Sequence, residues 1–164
     1  MPGATATASF SSPIGAITLV ASDTHLLGVR IARDSPATAA TGHPVLKAAL
    51  EQFGQWFAGE RTGFDLPLAP LDSEEGERLR AGIAAIPYGE TRTYGAVADQ
   101  TGSIARAVGQ ACATNPYPIL IPCHRVVSAS GPEYYSAGQG TRTKTWLLDF
   151  EHDHLPPERR TRLL

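Results

Sequence analysis

The stretch Phe64-Asp-Leu-Pro-Leu-Ala-Pro-Leu71 cannot be helical, because Pro67 and Pro70 lack the N–H a helix interior needs and clash with the preceding turn. It reads as a strand running into a linker, and it sets a boundary near Asp72 between residues 1–72 and 73–164. Apolar residues repeat differently on its two sides. Before it, Ala8–Phe10, Ala16–Ala21 and Leu26–Ile31 read as strands separated by turns at Ser12-Pro-Ile-Gly15 and Ser22–His25. Asp34–Gly42 is small and polar, a surface loop. From Pro44 to Ala58, the residues Val45, Leu46, Ala49, Leu50, Phe53, Trp56 and Phe57 keep helical spacing, which Gly59 closes. After the boundary the pattern is helical. Asp72 or Ser73 caps a helix whose Glu74, Glu75 and Glu77 suit its positive end, with Leu79, Ile83 and Ile86 buried. Thr93 caps Tyr94–Thr101, Gly102 ends it, and Ser103 caps a helix from Ile104 to Thr114. Two short helices joined through a glycine form a helix-turn-helix pattern. A last helix runs from Thr141 to Glu151 on Trp146, Leu147 and Phe150. The fold class is α/β (α+β).

Composition narrows the classes of function. The 164 residues are 42% hydrophobic and 18% charged, an ordinary soluble globule of one compact body or two small lobes. No apolar run approaches the roughly 18 residues of a spanning helix, and the N-terminus lacks a secretory signal, so a cytoplasmic, nucleoid-associated location is expected. Cys112 and Cys123 make no disulfide framework and read as reduced thiols. His152-Asp-His154 is the nearest approach to a metal motif, and it reads as solvated tail with no further ligands at zinc spacing. Net charge is −2. Residues 1–74 carry four basic and seven acidic side chains, and residues 75–164 carry ten and nine. Any contact with nucleic acid therefore needs a local patch in the second half.

The chemistry concentrates in Asn115-Pro-Tyr-Pro-Ile-Leu-Ile-Pro-Cys-His-Arg-Val-Val127. Three prolines around an aliphatic run place Cys123 after a rigid, buried, strand-like stretch. A histidine beside such a cysteine suits a positioned nucleophile, although an arbitrary Cys-His pair is more often a core cysteine and a surface histidine. Other strings stand in order along the chain: Ile86-Pro-Tyr-Gly-Glu-Thr91, Thr93-Tyr-Gly-x-Val-Ala98, Arg106-Ala-Val-Gly109, Tyr135-Ser136 and Lys144-x-Trp-Leu-Leu-x-x-Glu151. Together with Pro122-Cys-His-Arg-Val126 they resemble the O6-alkylguanine-DNA alkyltransferases, the methylated-DNA–protein-cysteine methyltransferases. Ser12-Pro-Ile-Gly15 resembles that family's N-terminal lobe.

The resemblance implies a small ribonuclease-H-like lobe, with an antiparallel sheet and a helix, followed by a mostly helical DNA-binding and acceptor lobe. It implies that Cys123 takes the alkyl group of an alkylated guanine, once and irreversibly. His124 would act as base through a water, oriented by Glu151, with Asn115 bracing the cysteine turn. Because neighbours in an extended segment point opposite ways, direct contact of Cys123 with His124 is not expected. Tyr94 would hold or protonate the leaving guanine. Tyr135 and Ser136 would line the base pocket, and Val126 and Pro118 would shape its walls. The target lies inside the stack and must be flipped out, with Arg106 filling the gap. Val108, about 200° away on the helical wheel, faces the core. Ala105, Ala107 and Gly109 would let the helix approach the minor groove of double-stranded DNA. Cys112 reads as a small core residue.

The turn Gly102–Arg106 is shorter than the family's and carries Ile104 where a small residue is usual. Ser136–Gly140 is longer than the family's pocket loop. No cofactor and no zinc are expected, since the N-terminal lobe lacks the cysteines that bind zinc in some members, and a monomer is expected. Three other readings remain at this point: a lesion-binding protein without transfer, a Cys-His-Glu hydrolase, and a regulator using the helix-turn-helix. Stoichiometry separates the first two from a single-use acceptor.

Overall fold

The computed structural model describes residues 5–32, 42–129 and 140–159. The chain divides into two compact units, Met1–Pro70 and Leu71–Leu164.

In the first unit, β1 (Ala6–Ser12), β2 (Gly15–Ala21) and β3 (Leu26–Ala32) form an antiparallel meander in the order β1-β2-β3. Alternation puts Ala8, Ile17, Leu19, Val29 and Ile31 in the core. Helix α1 (Pro44–Phe57) supplies Leu46, Ala49, Phe53 and Trp56 to that core. Phe53 stacks obliquely on Phe10 and Phe64, with ring centroids at 5.8 and 4.8 Å. The expected strand over Phe64–Leu71 reduces to one isolated bridge, Leu26 with Leu68. Pro67 still accepts from the Leu26 N–H at 2.7 Å, but Pro67 and Pro70 have no amide proton to give to a longer ladder.

In the second unit, α2 (Glu74–Ala84) starts at Ser73, whose hydroxyl accepts from the Gly76 N–H at 3.0 Å. A two-residue strand, β4 (Arg92–Thr93), leads directly into α3 (Tyr94–Thr101), whose cap is Thr93. Gly102 ends α3 in the left-handed region at φ 69°, where a Cβ is costly. The Ser103 N–H then returns to the Ala98 carbonyl at 2.9 Å. That bond completes the end of α3, so Ser103 does not cap the next helix. Helix α4 (Ala105–Ala113) begins instead at Ile104, which offers no side-chain cap and is 62% exposed.

The largest departure lies between Asn115 and Pro122. The aliphatic run forms a tight turn rather than a strand, with the Ile121 N–H donating to the Tyr117 carbonyl at 3.0 Å. Ile119 sits inside it at φ 77°, an unusual conformation for a β-branched residue. Cys123–Arg125 follow as a single 3-10 turn, and β5 (Val126–Val127) pairs in parallel with β4. Helix α5 (Thr141–Asp153) runs past Glu151 and takes in His152 and Asp153, with His154 as its C-cap, so these residues end a helix rather than form a loose tail.

Candidate active site

Arg92 and Thr93 pair with Val126 and Val127, so the start of α3 and the end of the cysteine turn form one small sheet. The turn before Cys123 is organised by Asn115. Its Oδ1 accepts from the Tyr117 N–H at 3.0 Å, and its Nδ2 donates to the Ile121 carbonyl at 3.0 Å and to Cys123 Sγ at 3.3 Å. One side chain thus closes the strained turn and grips the sulfur. Cys123 is 3% exposed. Its thiol is pushed well above its ordinary range, first by a hydrogen bond with Cys112 and then by burial, while Asn115 and Lys144 act the other way. A protonated thiol at rest needs a base before it can act as a nucleophile.

His124 and Glu151 are both fully buried, and His124 Nε2 lies 2.6 Å from Glu151 Oε2. Glu151 Oε1 accepts from the Gly89 N–H at 3.1 Å and from Arg125 Nε at 2.9 Å. Arg125 Nη2 reaches Oε2 at 2.8 Å, which makes a two-pronged pair, and Nη1 donates to the Ile86 carbonyl at 2.8 Å. Burial acts to raise the Glu151 pKa. The contacts with His124 and then with Arg125 outweigh it and hold the carboxyl at about 2. Burial is the main cause that lowers the His124 pKa, and the nearby Arg125 and Lys144 charges add to it against the pull of Glu151. The imidazole is therefore neutral at pH 7. An ionised carboxylate can only accept, so Nε2 carries the proton. The lone pair is left on Nδ1, which has no hydrogen-bond partner among the described residues.

The close approach at Gly89 explains why no other residue fits there. Its φ is 81°, and an added Cβ would lie 2.6 Å from Leu155 Cδ2. Arg125 and Lys144 carry charges into this interior, and sequence reasoning assigned neither a role. Lys144, 1% exposed, donates to the Val126 carbonyl at 2.6 Å and stands 5.9 Å from the centroid of Tyr94. Cationic residues are ordinarily read as surface, and only their place in the two motifs could have signalled burial.

Cys123, His124, Glu151 and Asn115 are thus brought together. Tyr94 joins them through Lys144 at the first turn of α3. Val126 and Pro118 are buried. Tyr135 and Ser136 lie outside the described residues. On α4, Val108 is buried, Ala105 and Arg106 are exposed, and Ala107 and Gly109 are half-buried. Cys112, read from the sequence as a small core residue, is half-buried rather than fully buried.

Residues 6–70 match the profile of the 6-O-methylguanine DNA methyltransferase ribonuclease-like domain, and residues 77–153 match that of the DNA-binding domain. A methylated-DNA–protein-cysteine methyltransferase of Mycolicibacterium paratuberculosis is 42% identical over 151 residues, which cover 88% of this chain and 91% of that protein. The crystal structure of the Mycobacterium tuberculosis O6-methylguanine methyltransferase superposes with a TM-score of 0.80 at 36% identity, covering 94% and 96% of the two chains. The M. tuberculosis protein in complex with DNA superposes with a TM-score of 0.75, covering 92% and 94%. The α+β reading and the resemblance drawn from the sequence both hold, and the chain belongs to the methylated-DNA–protein-cysteine methyltransferase family.

Proposed function

We propose that this protein repairs double-stranded DNA by transferring the O6-alkyl group of a flipped-out guanine to Cys123. The observation that carries the proposal is the grip of Asn115 on the Cys123 sulfur beside a neutral His124 oriented by Glu151. The Cys123 sulfur attacks the alkyl carbon, an S–C bond forms, and the C–O6 bond breaks with its electron pair moving to the guanine. The thiol proton passes through a water to His124 Nδ1, and the leaving guanine takes up a proton, with Tyr94 as the candidate donor. Arg125 and Gly89 are positioning groups that hold Glu151. The step balances with protein and DNA alone, so it calls on no cofactor. The thioether is stable, so each molecule acts once.

DNA is the partner of the related protein crystallised with it, and the exposed face of α4 supports the same partner here. Arg106 projects from that face to occupy the vacated stack. Ala105, Ala107 and Gly109 keep the helix close to the minor groove. Tyr135 and Ser136, with Val126 and Pro118, form the base pocket on the strength of the motif. The protein acts as a monomer.

Intact mass after incubation with an alkylguanine duplex tests the proposal. One alkyl group per molecule should appear, and peptide mapping should place it on Cys123. Modification of Cys112 with Cys123 untouched overturns the assignment. DNA binding with no mass gain leaves a lesion-binding protein instead.

A further inference from the structure

Ile104 is an apolar side chain left in water. Among the described residues two large hydrophobic side chains are exposed, Leu71 at 37% and Ile104 at 62%, and Ile104 lies in the turn between α3 and α4. A single exposed isoleucine is ordinary on a protein surface. The backbone of this one, however, is fixed on both sides. Gly102 turns in the left-handed region, and the Ser103 N–H returns to the Ala98 carbonyl at 2.9 Å. The Ile104 carbonyl then accepts from the Ala107 and Val108 N–H groups at 3.0 and 3.2 Å. Ile104 itself is extended, at φ −122° and ψ 154°. A β-branched side chain on a fixed backbone has few rotamers to lose, so it can enter a narrow space at small entropic cost.

The surroundings suit a nucleic acid. Gly102 and Ala105 are exposed beside Ile104, and a Cβ added at Gly102 would meet nothing within 4 Å, so the isoleucine has only small neighbours along the turn. Arginines stand at both ends of the turn. Arg106 is exposed two residues after Ile104, and the exposed Arg78 of α2 donates from Nε to the Thr101 carbonyl at 2.8 Å, just before Gly102. The sequence has no acidic residue from Gln100 to Pro132. Cations with an apolar tip between them match a groove whose rim is phosphate and whose floor is stacked bases.

We propose that Ile104 is an apolar wedge, which enters the minor groove ahead of Arg106 and partly unstacks a base step beside the target guanine. The inference rests on the reading of α4 as the helix that meets the minor groove. Two residues span at most about 7 Å and successive bases rise about 3.4 Å, so the wedge reaches a step within about two base pairs of the position that Arg106 fills. Unstacking that step loosens the strand on which the guanine must rotate, and the bend it introduces brings more of the helix against the duplex. Burying the isoleucine removes apolar surface from water and releases no counterion, so its contribution is insensitive to moderate salt. A chain with a net charge of −2 has most need of such a contribution.

The test sets the parent chain against Ile104→Ala and Ile104→Leu on a duplex containing O6-methylguanine. The duplex carries 2-aminopurine, an adenine analogue that brightens when unstacked, at steps within two base pairs of the lesion. Affinity and fluorescence are read in full-length chains that also carry Cys123→Ser, which holds the complex before transfer. The parent should brighten 2-aminopurine at one of these steps, and Ile104→Ala should remove that signal while Ile104→Leu keeps it. Ile104→Ala should also weaken duplex affinity by about tenfold, the scale of a few methyl groups returned to water. The ratio of the two dissociation constants should be the same at about 50 and about 200 mM salt. With Cys123 intact, Ile104→Ala should slow transfer from the duplex far more than from the free alkylated base, which also reports that the variant is folded. An alanine variant indistinguishable from the parent in affinity, or one that keeps the full fluorescence change, overturns the wedge and leaves the reading of α4 intact. A loss of affinity that fades at the higher salt overturns it as well, since that is the mark of a phosphate contact. No brightening at any of these steps in the parent overturns the wedge without recourse to a variant. A parent chain that does not bind the duplex at all overturns the proposed function together with the wedge.

Discussion

His124 is suited to the proposed role of base because its surroundings refuse it a charge. Burial disfavours the imidazolium, and Arg125 and Lys144 add repulsion, so its pKa lies below the ordinary 6.5. The sign follows directly: a base with a depressed pKa remains deprotonated as pH falls through 6.5, and is lost only below it. Single-turnover transfer should therefore show its acid limb below pH 6.5, and a half-maximal point at or above that value removes His124 from the mechanism. His124→Ala should slow transfer by about 10²–10⁴-fold, the usual contribution of a general base. At this scale much was legible. Cys123, His124, Glu151 and Asn115 stand in motifs that the family resemblance singled out, and the structure brings them together. Arg125 and Lys144 were not legible, because a charged side chain is assigned to solvent unless its partners are known. Those partners, Glu151, the Ile86 carbonyl and the Val126 carbonyl, come from distant parts of the chain.

Helix α4 divides its faces between two tasks. Val108 is buried and Cys112, one turn on, is half-buried, while Ala105 and Arg106 are exposed. Flipping a nucleotide costs a few kcal/mol, and a side chain that fills the gap offsets part of it. Arg106→Ala should slow transfer from a duplex far more than transfer from the free alkylated base, which needs no flipping. Equal slowing of the two makes Arg106 a structural residue. The helices themselves were legible from spacing and caps, since those signals are local. The turn before Cys123 was not. An aliphatic run between prolines has the composition of a strand, and it is folded back by the positive φ of Ile119, with Asn115 holding Tyr117 and Ile121 on either side. The β4–β5 pair escaped for a different reason, since two-residue strands are too short to show any periodicity.

The whole chain carries a net charge of −2, with its basic side chains concentrated after residue 74. Attraction to DNA must come from few contacts, and each phosphate neutralised contributes roughly −0.9 to the slope of log K against log salt. A titration of duplex affinity against salt should give a shallow slope, equivalent to two or three contacts on this reckoning (about −2 to −3). A slope as steep as about −10 would require a basic surface that this composition does not provide. The carboxylate at the end of α5 also sets a timetable. His124 and Glu151 are 27 residues apart, and Gly89 and Glu151 are 62 apart. Ribosomes add about 5–20 residues per second from the N-terminus, so His124 is made roughly one to five seconds before Glu151, its hydrogen-bond partner. On the proposed mechanism, the nascent Cys123 thiol has no assisted route to a lesion during that interval. A molecule that can react only once is thereby kept from reacting before α5 has been synthesised.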